Sequence, residues 1–440
     1  MRRSWPPDER SRMVLNIFVV GLDELNHSTL RSLPNADQYE FHQLLTPEEL
    51  QEGTVAVPEL LDKAQRQLDA FDGSIDAIVG YWDFPVSSMV PILCDRYGLR
   101  SADLEAVVKC EHKYWSRLEQ QKVIQEYPAF GLIDLGDEHA TRPEHVSYPA
   151  WIKPIKGTES EGAHHLEDDQ QLQDALALER EEVDRLGGPF NDVLAMLDLP
   201  TEIAEVGGSA AMIEEAAAGD QLTVEGFSRG DRVEIYGVVD SYNYPDVPSF
   251  LRYQYPSRLP AQTQDYIADV TRRVITGLGL TNSTFNVEYF WDPQAERLVL
   301  LEVNPRHSQS HAMLFEEVDG VSNHAVMLDL ALDRDPHLPR REGQFAVAAK
   351  WYLRRFSDGL VRRVPSAARI TEIEQRYPGT TVEVSVEEGD RLSEGYGGDS
   401  YSYVLAEIFM GARDEEELVR NYDRCVEALE FDIEDRQEGD

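Results

Sequence analysis

The sequence has 440 residues and is 42% hydrophobic, so the chain is long enough to form two or three domains with a sizeable core. It carries 82 acidic and 41 basic residues, and this net charge of -41 argues against nucleic-acid binding because phosphates would be repelled. No apolar run approaches the roughly 18 residues that cross a bilayer, and no apolar segment follows the opening MRRSWPPDERSRM, so we expect a soluble, cytoplasmic protein with a loose start.

The first hundred residues have the pattern of a small open α/β domain. A β-branched and aromatic run at 14–20 ends at Gly21, and a second strand-like run at 77–80 follows a helical pattern at 60–71. An amphipathic helix is predicted at 86–97. The turn VVGLDE has one glycine and lacks the GxGxxG spacing, so we do not expect dinucleotide binding there.

Lysines and glycines next mark a candidate phosphate-binding segment, YPAWIKPIKGTESEG. Lys153 ends a strand-like stretch, and Gly157 and Gly162 surround Ser160 in the following loop. Small residues let backbone N–H groups approach phosphate oxygens, and a lysine contacts them as a point charge. A flexible surface loop would have the same composition. However, four of the seven lysines in the chain, at 109, 113, 153 and 156, lie in or near this segment and the preceding VKCEHKYWSRL.

A third segment, AAMIEEAAAGDQLTVEG, has an apolar strand end, the pair Glu214 and Glu215, and a new strand after Gly219. An adenine hinge needs a backbone acceptor and donor on such an extended stretch, with polar side chains at its rim. A charged loop is the alternative.

The segment YFWDPQAERLVLLEVNPRH predicts an antiparallel hairpin, with a turn at Asp292-Pro293 between strands at 285–291 and 298–304. Folding about this turn places Glu288 opposite Glu302. Two facing carboxylates repel each other, and a Mg²⁺ ion held with the amide oxygen of Asn304 would offset that repulsion. The alternative is a hairpin with its polar face in water.

Alternation along the second strand predicts that Leu298 and Leu300 share a face with Glu302 and Asn304. Beyond the strand, His307 and His311 are four residues apart, a spacing that could bind zinc on a helix, although a substrate-lining loop is the stronger expectation.

After residue 340 a further α+β unit is predicted, with strands in FAVAAKWYL and TVEVSV and a helix at 415–429. The terminal DIEDRQEGD has almost nothing apolar to bury, so we expect disorder. The three cysteines, Cys94, Cys110 and Cys425, show no CxxC spacing, which suits a reducing compartment.

These segments, in this order, resemble the ATP-grasp superfamily, and the last two, NVEYFWD and LLEVNPRHSQS, are the most specific. The resemblance spans about half of the chain and points to bacterial amino-acid ligases, which are carboxylate–amine ligases, and to biotin carboxylase-like proteins. It implies an α/β (α+β) fold with a pre-ATP-grasp α/β domain at 1–111, an ATP-grasp domain at 112–335 with a lid at about 148–211, a biotin-carboxylase-like C-terminal α+β domain at 336–432, and a disordered acidic tail at 433–440.

The resemblance also implies roles for the matched positions. The residues that would bind ATP are Lys113, Lys153, Gly157, Ser160, Gly162, Glu214, Glu215, Ala217 and Gln221. Glu288, Glu302 and Asn304 would hold Mg²⁺ or Mn²⁺, and Arg306 would act in catalysis by stabilising the reacting oxyanion. Residues proposed to contact the small-molecule substrates are Arg252, His307, Ser308 and Arg354. A homodimer is common among relatives, and neither nucleic acid nor a membrane is expected as a partner.

The implied reaction activates a carboxylate as an acyl phosphate, with ATP converted to ADP, and couples it to an amine. Two alternatives stay open: a biotin carboxylase-like subunit that activates bicarbonate, and an ATP-binding protein without turnover. A small cationic pocket near Arg252, His307 and His311 would favour bicarbonate, and a larger pocket would favour an amino acid. Gln221 departs from the acidic residue that grips the ribose in many relatives.

The charge balance yields a testable prediction about salt. An acidic surface with few lysines is typical of proteins from a high-salt cytosol, where screening weakens self-repulsion. We therefore expect the thermal unfolding midpoint to rise between dilute buffer and molar sodium chloride, as measured by circular dichroism. An unchanged midpoint would show that the protein is merely acidic.

Overall fold

A computed structural model of the chain describes residues 14–51, 56–137, 139–157, 162–245, 247, 249–394, 398–399 and 402–435. The opening residues that were expected to be loose, the predicted loop residue Ser160 and the last five residues lie outside these ranges. Within them, no helix is long and apolar enough to cross a membrane.

The N-terminal region is a small open α/β unit, as predicted. Its three-stranded parallel sheet has the order β2-β1-β3, so the carboxyl ends of the strands meet at one edge. The elements in chain order are β1 (Leu15–Val20), α1 (Glu24–Arg31), β2 (Tyr39–Leu44), α2 (Pro47–Gln51), α3 (Val57–Asp69), β3 (Ala77–Val79), α4 (Val86–Tyr97) and α5 (Leu104–Glu111). Helix α4 has the predicted bounds, since its apolar residues recur at helical spacing and Gly98 ends it with φ +66°.

A four-stranded sheet with the order β4-β7-β5-β6 forms a second unit. Its elements, with the helix that precedes them, are α6 (Lys113–Gln120), β4 (Phe130–Ile133), β5 (Ala150–Pro154), β6 (His164–Leu166), α7 (Asp169–Glu182), α8 (Asp184–Leu194), α9 (Thr201–Val206) and β7 (Ala211–Glu215). The sheet thus includes a strand that precedes residue 148. It presents the end of β5, with Lys153, next to the start of α6, with Lys113.

The largest sheet is antiparallel and has the order β12-β11-β8-β9-β10-β13-β17-β15, with β16 beside β17. Its first part comprises β8 (Asp220–Arg229), β9 (Arg232–Asn243), β10 (Phe250–Tyr255), α10 (Ala261–Leu278), β11 (Ser283–Asp292), β12 (Arg297–Asn304), α11 (Ala312–Asp319) and α12 (His324–Ala331). One face packs on α10, where Val270 and Val274 meet Val287, Leu300 and Val303. We call the opposite face, which carries Glu288 and Glu302, the site face.

The C-terminal unit extends this sheet. Its elements are β13 (Val347–Arg355), β14 (Gly359–Arg363), α13 (Ala367–Arg376), β15 (Thr380–Val384), β16 (Gly398–Asp399), β17 (Ser402–Ala412), α14 (Glu415–Leu429) and β18 (Asp432–Asp435). The tail predicted at 433–440 is wrong for its first three residues, because β18 pairs with β14 and Ile433 packs beside Val361 and Leu392. One apolar residue was enough to anchor a short edge strand.

The predicted hairpin is confirmed as β11 and β12, and Glu288 lies directly opposite Glu302. The predicted facing of the second strand is wrong, however. The register shifts after Glu288, so Tyr289 pairs with Leu300 and Leu301 is an extra residue, which is a β-bulge. The bulge reverses the alternation, and Leu300 therefore packs on α10 while Glu302 lies on the site face.

Gly219, between β7 and β8, supports a test of how closely this connection packs against β11. Its φ is +110°, and a Cβ atom would lie 2.2 Å from the carbonyl oxygen of Trp291. We expect Gly219→Ala to reduce the free energy of unfolding by about 3 kcal/mol, since it combines backbone strain with a clash. Gly230→Ala is the control: its φ is +59° but a Cβ would meet nothing within 4 Å, so strain alone should cost about 1 kcal/mol. Equal losses in denaturant unfolding would contradict the clash.

Candidate active site

Two facing carboxylates form the centre of the site. Glu288 on β11 and Glu302 on β12 are register partners, and both side chains are partly exposed. Glu288 accepts hydrogen bonds from the amides of Gln221 at 3.0 Å and Asn304 at 3.3 Å. The bulge at Leu301 is therefore what places Glu302 and Asn304 on the same face as Glu288.

The two carboxylates differ in their proton affinity because their neighbours differ. Burial and the nearby Glu302 raise the pKa of Glu288 to about 7. Burial would also raise the pKa of Glu302, but Lys113 and Lys153 outweigh it, so the pKa of Glu302 is lowered. Less positive charge therefore lies near Glu288 than near Glu302.

This donor set fits the magnesium ion predicted from the sequence. Two carboxylates and the Asn304 amide oxygen are the hard oxygen ligands that Mg²⁺ prefers, and an ion beside Glu288 would supply the missing charge. In the described residues, no group of three or more His, Cys, Asp and Glu side chains is arranged to hold a metal. The site would therefore be a partial shell, completed by water and substrate oxygens, rather than a closed structural metal site.

Lys113 connects the carboxylate pair to the glycine loop. Its Nζ atom lies 3.1 Å from Glu302 Oε1 and donates a hydrogen bond of 2.8 Å to the carbonyl oxygen of Gly157. The side chain belongs to the first residue of α6, which His112 caps by accepting from the Trp115 N–H. Lys113 is thus held between Glu302 and the carbonyl group of Gly157.

Lys153 is held by a buried ion network. Glu214 lies 2.5 Å from Lys153 Nζ with one carboxylate oxygen and 2.5 Å from Arg117 Nε with the other. Arg117 also donates to the carbonyl oxygen of Leu301 at 2.6 Å. Burial would raise the pKa of Glu214, but the two cations lower it to about 2. The network thus connects the small sheet to the bulge of the large one.

Lys156 is a further buried cation near the pair. Its ammonium lies 3.5 Å from Glu111 and over the rings of Phe84 and Phe190. Burial lowers the pKa of Lys156, and Glu111 only partly opposes this. Glu111 also accepts hydrogen bonds from the hydroxyls of Ser87 and Ser88.

Arg306, the predicted catalytic residue, lies at the site and is oriented by the N-terminal unit. Its guanidinium makes a two-pronged ion pair with Asp83, at 2.9 Å and 2.6 Å. Burial would lower the pKa of Arg306, but Asp83, Glu225 and Glu288 raise it, so the side chain stays charged. Asp83 follows β3, at the carboxyl edge of the parallel sheet.

Ser308 and His311 converge on a buried carboxylate, Glu225. Its Oε1 atom accepts from the Ser308 N–H at 3.0 Å, from Asn286 at 3.0 Å and contacts His311 Nδ1 at 2.9 Å. These contacts hold the loop after β12 against β8. Ser308 lies near the site through its backbone, and its predicted contact with a substrate stays a prediction, whereas the ring of His311 is used in holding Glu225.

Two predicted substrate residues lie elsewhere. His307 is fully buried and its ring nitrogens contact Thr284 at 3.2 Å and His324 at 2.9 Å, so it cannot reach a substrate. Because His307 and His311 have different partners, the zinc alternative has no support. Arg252 stacks on Tyr242 and Trp351 and binds Glu415 at 2.9 Å, on the face opposite Glu288. Strand position fixes its side, and the sequence did not reveal the order of the strands.

The remaining predicted residues lie around the proposed hinge. The side chain of Glu214 is occupied by its cations, so only its backbone could contribute. Glu215 is the last residue of β7, and its carboxylate accepts from the Ser147 N–H, whereas Ala217 lies on the connection from β7 to β8. Gln221 lies beside Glu288.

Arg354, on β13, stacks on Tyr352 and donates to the Phe250 carbonyl and the Ser402 hydroxyl.

Sequence reasoning missed four residues that organise this site. Arg117 is four residues after Lys113, so helical spacing alone places both on one face of α6. Glu225 lies two residues after Thr223, the register partner of Glu288, so strand alternation indicates that it shares the site face. Asp83 and Glu111 belong to the N-terminal unit, and no sequence pattern around them indicated that they contact the site.

The chain is similar to known proteins both in sequence and in fold. Residues 146–312 match the model of the ATP-grasp domain. The uncharacterized protein y4rH of Sinorhizobium fredii is 23% identical over 352 residues, which cover 78% of this chain and 65% of y4rH, less than two thirds of its length.

Two solved structures show that the fold is shared along almost the whole chain. The L-amino acid ligase from Bacillus licheniformis superposes with a TM-score of 0.68 at 15% identity, covering 95% of this chain and 98% of the ligase. The biotin carboxylase domain of the Hydrogenobacter thermophilus 2-oxoglutarate carboxylase, in complex with MgADP, ADP and bicarbonate, superposes with a TM-score of 0.62 at 14% identity, covering 96% and 91%. The ATP-grasp resemblance is confirmed by the domain match and by this fold.

The Glu214 network predicts how stability depends on pH. The pKa of Glu214 is lowered from 4.5 to about 2, so its contribution is present above pH 4.5 and is lost as the pH falls through 2. We expect Glu214→Gln to cost about 3 kcal/mol at neutral pH, because two buried cations lose their partner. The difference from the original protein should shrink between pH 4.5 and pH 2 in denaturant unfolding.

The matched control is Glu417→Gln. The pKa of Glu417 is also lowered to about 2, by hydrogen bonds from Arg413, but this carboxylate lies at the surface of α14, where its side chain is 21% exposed, against 4% for Glu214. Solvent screens such a pair, so its loss should change stability far less. A loss as large as that of Glu214→Gln would contradict the role of burial.

Proposed function

We propose that this chain, which contains an ATP-grasp domain in an ATP-grasp fold, is an ATP-dependent carboxylate–amine ligase that forms a C–N bond with release of ADP and phosphate. The observation that carries this proposal is the pair Glu288 and Glu302 with Asn304, flanked by Lys113, Lys153 and Arg306. Two facing carboxylates with three cations around them are the groups expected to bind a nucleoside triphosphate together with its divalent ion.

Binding of ATP is proposed to depend on the lysines. Lys113 and Lys153 would contact the phosphates, together with the backbone at Gly157 and Gly162. When bound at Glu288, Glu302 and Asn304, Mg²⁺ neutralises charge on the phosphates; Mn²⁺ has similar ligand preferences. The connection at Glu215 and Ala217 would lie against the adenine, with Gln221 near the sugar.

In the proposed reaction, a carboxylate oxygen attacks the γ-phosphorus of ATP and ADP leaves, which gives an acyl phosphate. An amine nitrogen then attacks the acyl carbon and phosphate leaves. The protein has little covalent work to do, so its contribution is positioning and charge stabilisation. Arg306 stays charged in its pair with Asp83 and would hold the anion that forms on the acyl group.

Water must be excluded because it would hydrolyse the acyl phosphate. The small sheet carries Lys153 and Gly157. Its movement towards the large sheet would bring these groups to the phosphates and would exclude water from the site. The Arg117 network already joins the two units at Leu301.

The bicarbonate alternative has less support. It required a small cationic pocket near Arg252, His307 and His311. Arg252 lies on the other face of the sheet, and both histidines are buried and make hydrogen bonds within the protein. These residues therefore do not form such a pocket. Location in the cytoplasm and a homodimer remain part of the proposal.

The central test is the loss of turnover when Glu302 becomes neutral. We expect Glu302→Gln to reduce the kcat of magnesium-dependent phosphate release by about 10²-fold or more, because an oxygen ligand loses its charge. Activity would be found by screening pools of amino acids, hydroxy acids and bicarbonate in a phosphate-release assay.

Glu383→Gln provides the control. Glu383 also faces a glutamate, Glu407, across an antiparallel pair, but it lies on the edge strand β15. Its loss should leave kcat within about twofold, since such an exposed charge contributes little. Full activity in Glu302→Gln would remove the metal assignment, and no phosphate release from the original protein with any pool would remove the ligase assignment.

A further inference from the structure

The unit built on the small sheet contains a buried acidic group that the proposed reaction does not use. Glu179 lies on α7 and is 2% exposed. Within the described part of the chain, its Oε1 atom has no hydrogen-bond partner. A buried carboxylate oxygen without a partner is costly, and such groups are rare in folded proteins. A ligand that supplied the missing partner would therefore stabilise this part of the fold.

His164 presents a second unpartnered atom to the same point. Its Nε2 atom lies 3.9 Å from Glu179 Oε1, which is too far for a hydrogen bond. The side chain as a whole is 30% exposed, but this nitrogen is enclosed by protein and has no hydrogen-bond partner among the described residues. Two buried polar atoms thus face each other across a gap that neither fills.

The packing of α7 on the edge of the small sheet brings these two atoms together. His164 is the first residue of β6, a three-residue strand at the edge of that sheet. Leu176 of α7 packs in the same core as Ile152 and Leu166, and Glu179 follows it by three residues, on the same side of the helix. The gap is therefore fixed by a hydrophobic core and is not a feature of a loop.

The gap lies beside a second carboxylate and a small cavity. Burial and the neighbouring Glu182 raise the pKa of Glu179 to about 8. Both carboxylates line a cavity of about 20 Å³, which has room for one water molecule. Lys156 and Arg185 line it as well, and the Lys156 ammonium lies 3.5 Å from Glu111. Because the pKa of Glu179 stays raised, these two cations do not compensate its charge.

We propose that His164 and Glu179 bind a divalent transition-metal ion, with Zn²⁺ as the best match. Zn²⁺ accepts an imidazole nitrogen and a carboxylate oxygen at roughly 2.0–2.2 Å, so two such bonds can span the gap. In the residues that the structure describes, no third His, Cys, Asp or Glu side chain is already in place. Water from the adjoining cavity and Glu182, three residues along α7, would complete the shell.

This ion differs in kind and place from the one proposed at Glu288 and Glu302. The facing carboxylates offer oxygen ligands alone, which Mg²⁺ prefers, whereas an imidazole nitrogen favours zinc, nickel or copper. A Cβ atom on Gly162 would lie 3.6 Å from Glu179 Oε1, so the ion would lie next to this glycine. It would fasten β6 to α7, and the proposal does not depend on the ligase function.

Zinc binding is tested on the full chain by calorimetry and by thermal unfolding. Saturating Mg²⁺ is present throughout, so that the pair Glu288 and Glu302 is not free to take the added Zn²⁺. We expect one equivalent of Zn²⁺ to bind, and the unfolding midpoint to rise by about 3 °C when free zinc reaches about 100 times Kd. Glu179→Gln and His164→Asn should each weaken zinc binding by about tenfold or more, because each removes one ligand.

The neighbouring pair His165 and Glu167 provides a matched control. The same two residue types lie 3.6 Å apart there, but their side chains are 36% and 62% exposed, so water solvates both. The double variant His165→Asn with Glu167→Gln should therefore bind zinc with the affinity of the original protein and show the same rise in unfolding midpoint.

The outcomes decide the assignment in each case. Absence of zinc binding, unchanged affinity in Glu179→Gln and His164→Asn, or an equal loss in the control variant would overturn it. If either single variant failed to fold, X-ray absorption of the zinc-loaded original protein would decide. One imidazole nitrogen with oxygen ligands is expected, and a sulfur ligand or several imidazoles would overturn the site. Glu302→Gln should keep its zinc affinity, so failure here would leave the ligase function standing.

Discussion

Electrostatic repulsion between Glu288 and Glu302 is the constraint on which the site depends. Two carboxylates placed directly across an antiparallel pair destabilise a sheet unless positive charge lies nearby. The protein meets part of this need with Lys113, which lies against Glu302, and with Arg306, whose charge reaches Glu288. The proposed cation would supply the rest, so that the local repulsion would be relieved on binding.

The cations are themselves placed by residues from several parts of the chain. Asp83 orients Arg306 from the N-terminal unit, and Glu214 orients Lys153 from the small sheet. Arg117 contacts both Glu214 and the bulged Leu301. Each unit therefore contributes one charged contact to the same cleft, and the geometry of the site is set only when all three are packed together.

Much of the fold and part of the site followed from local patterns. The hairpin and the pairing of Glu288 with Glu302 were predictable because Asp292-Pro293 fixes the turn, and α4 followed from its helical spacing. The face on which Leu300 lies was not predictable, because the extra residue Leu301 interrupts the alternation of side chains along the strand. Arg252 shows a second limit, because the face on which it lies depends on an order of strands that no local pattern encodes.

The placement of the lysines has a consequence for how an anion reaches the cleft. Four of the seven, Lys113, Lys153, Lys156 and Lys350, have side chains that are at most 12% exposed, so little of their charge offsets the acidic exterior. ATP, the proposed ligand, would therefore meet a repulsive field outside the protein before it reached the buried lysines. Dissolved ions shorten the range of the outer field much more than that of the enclosed one, so nucleotide capture by this protein should quicken as ionic strength rises.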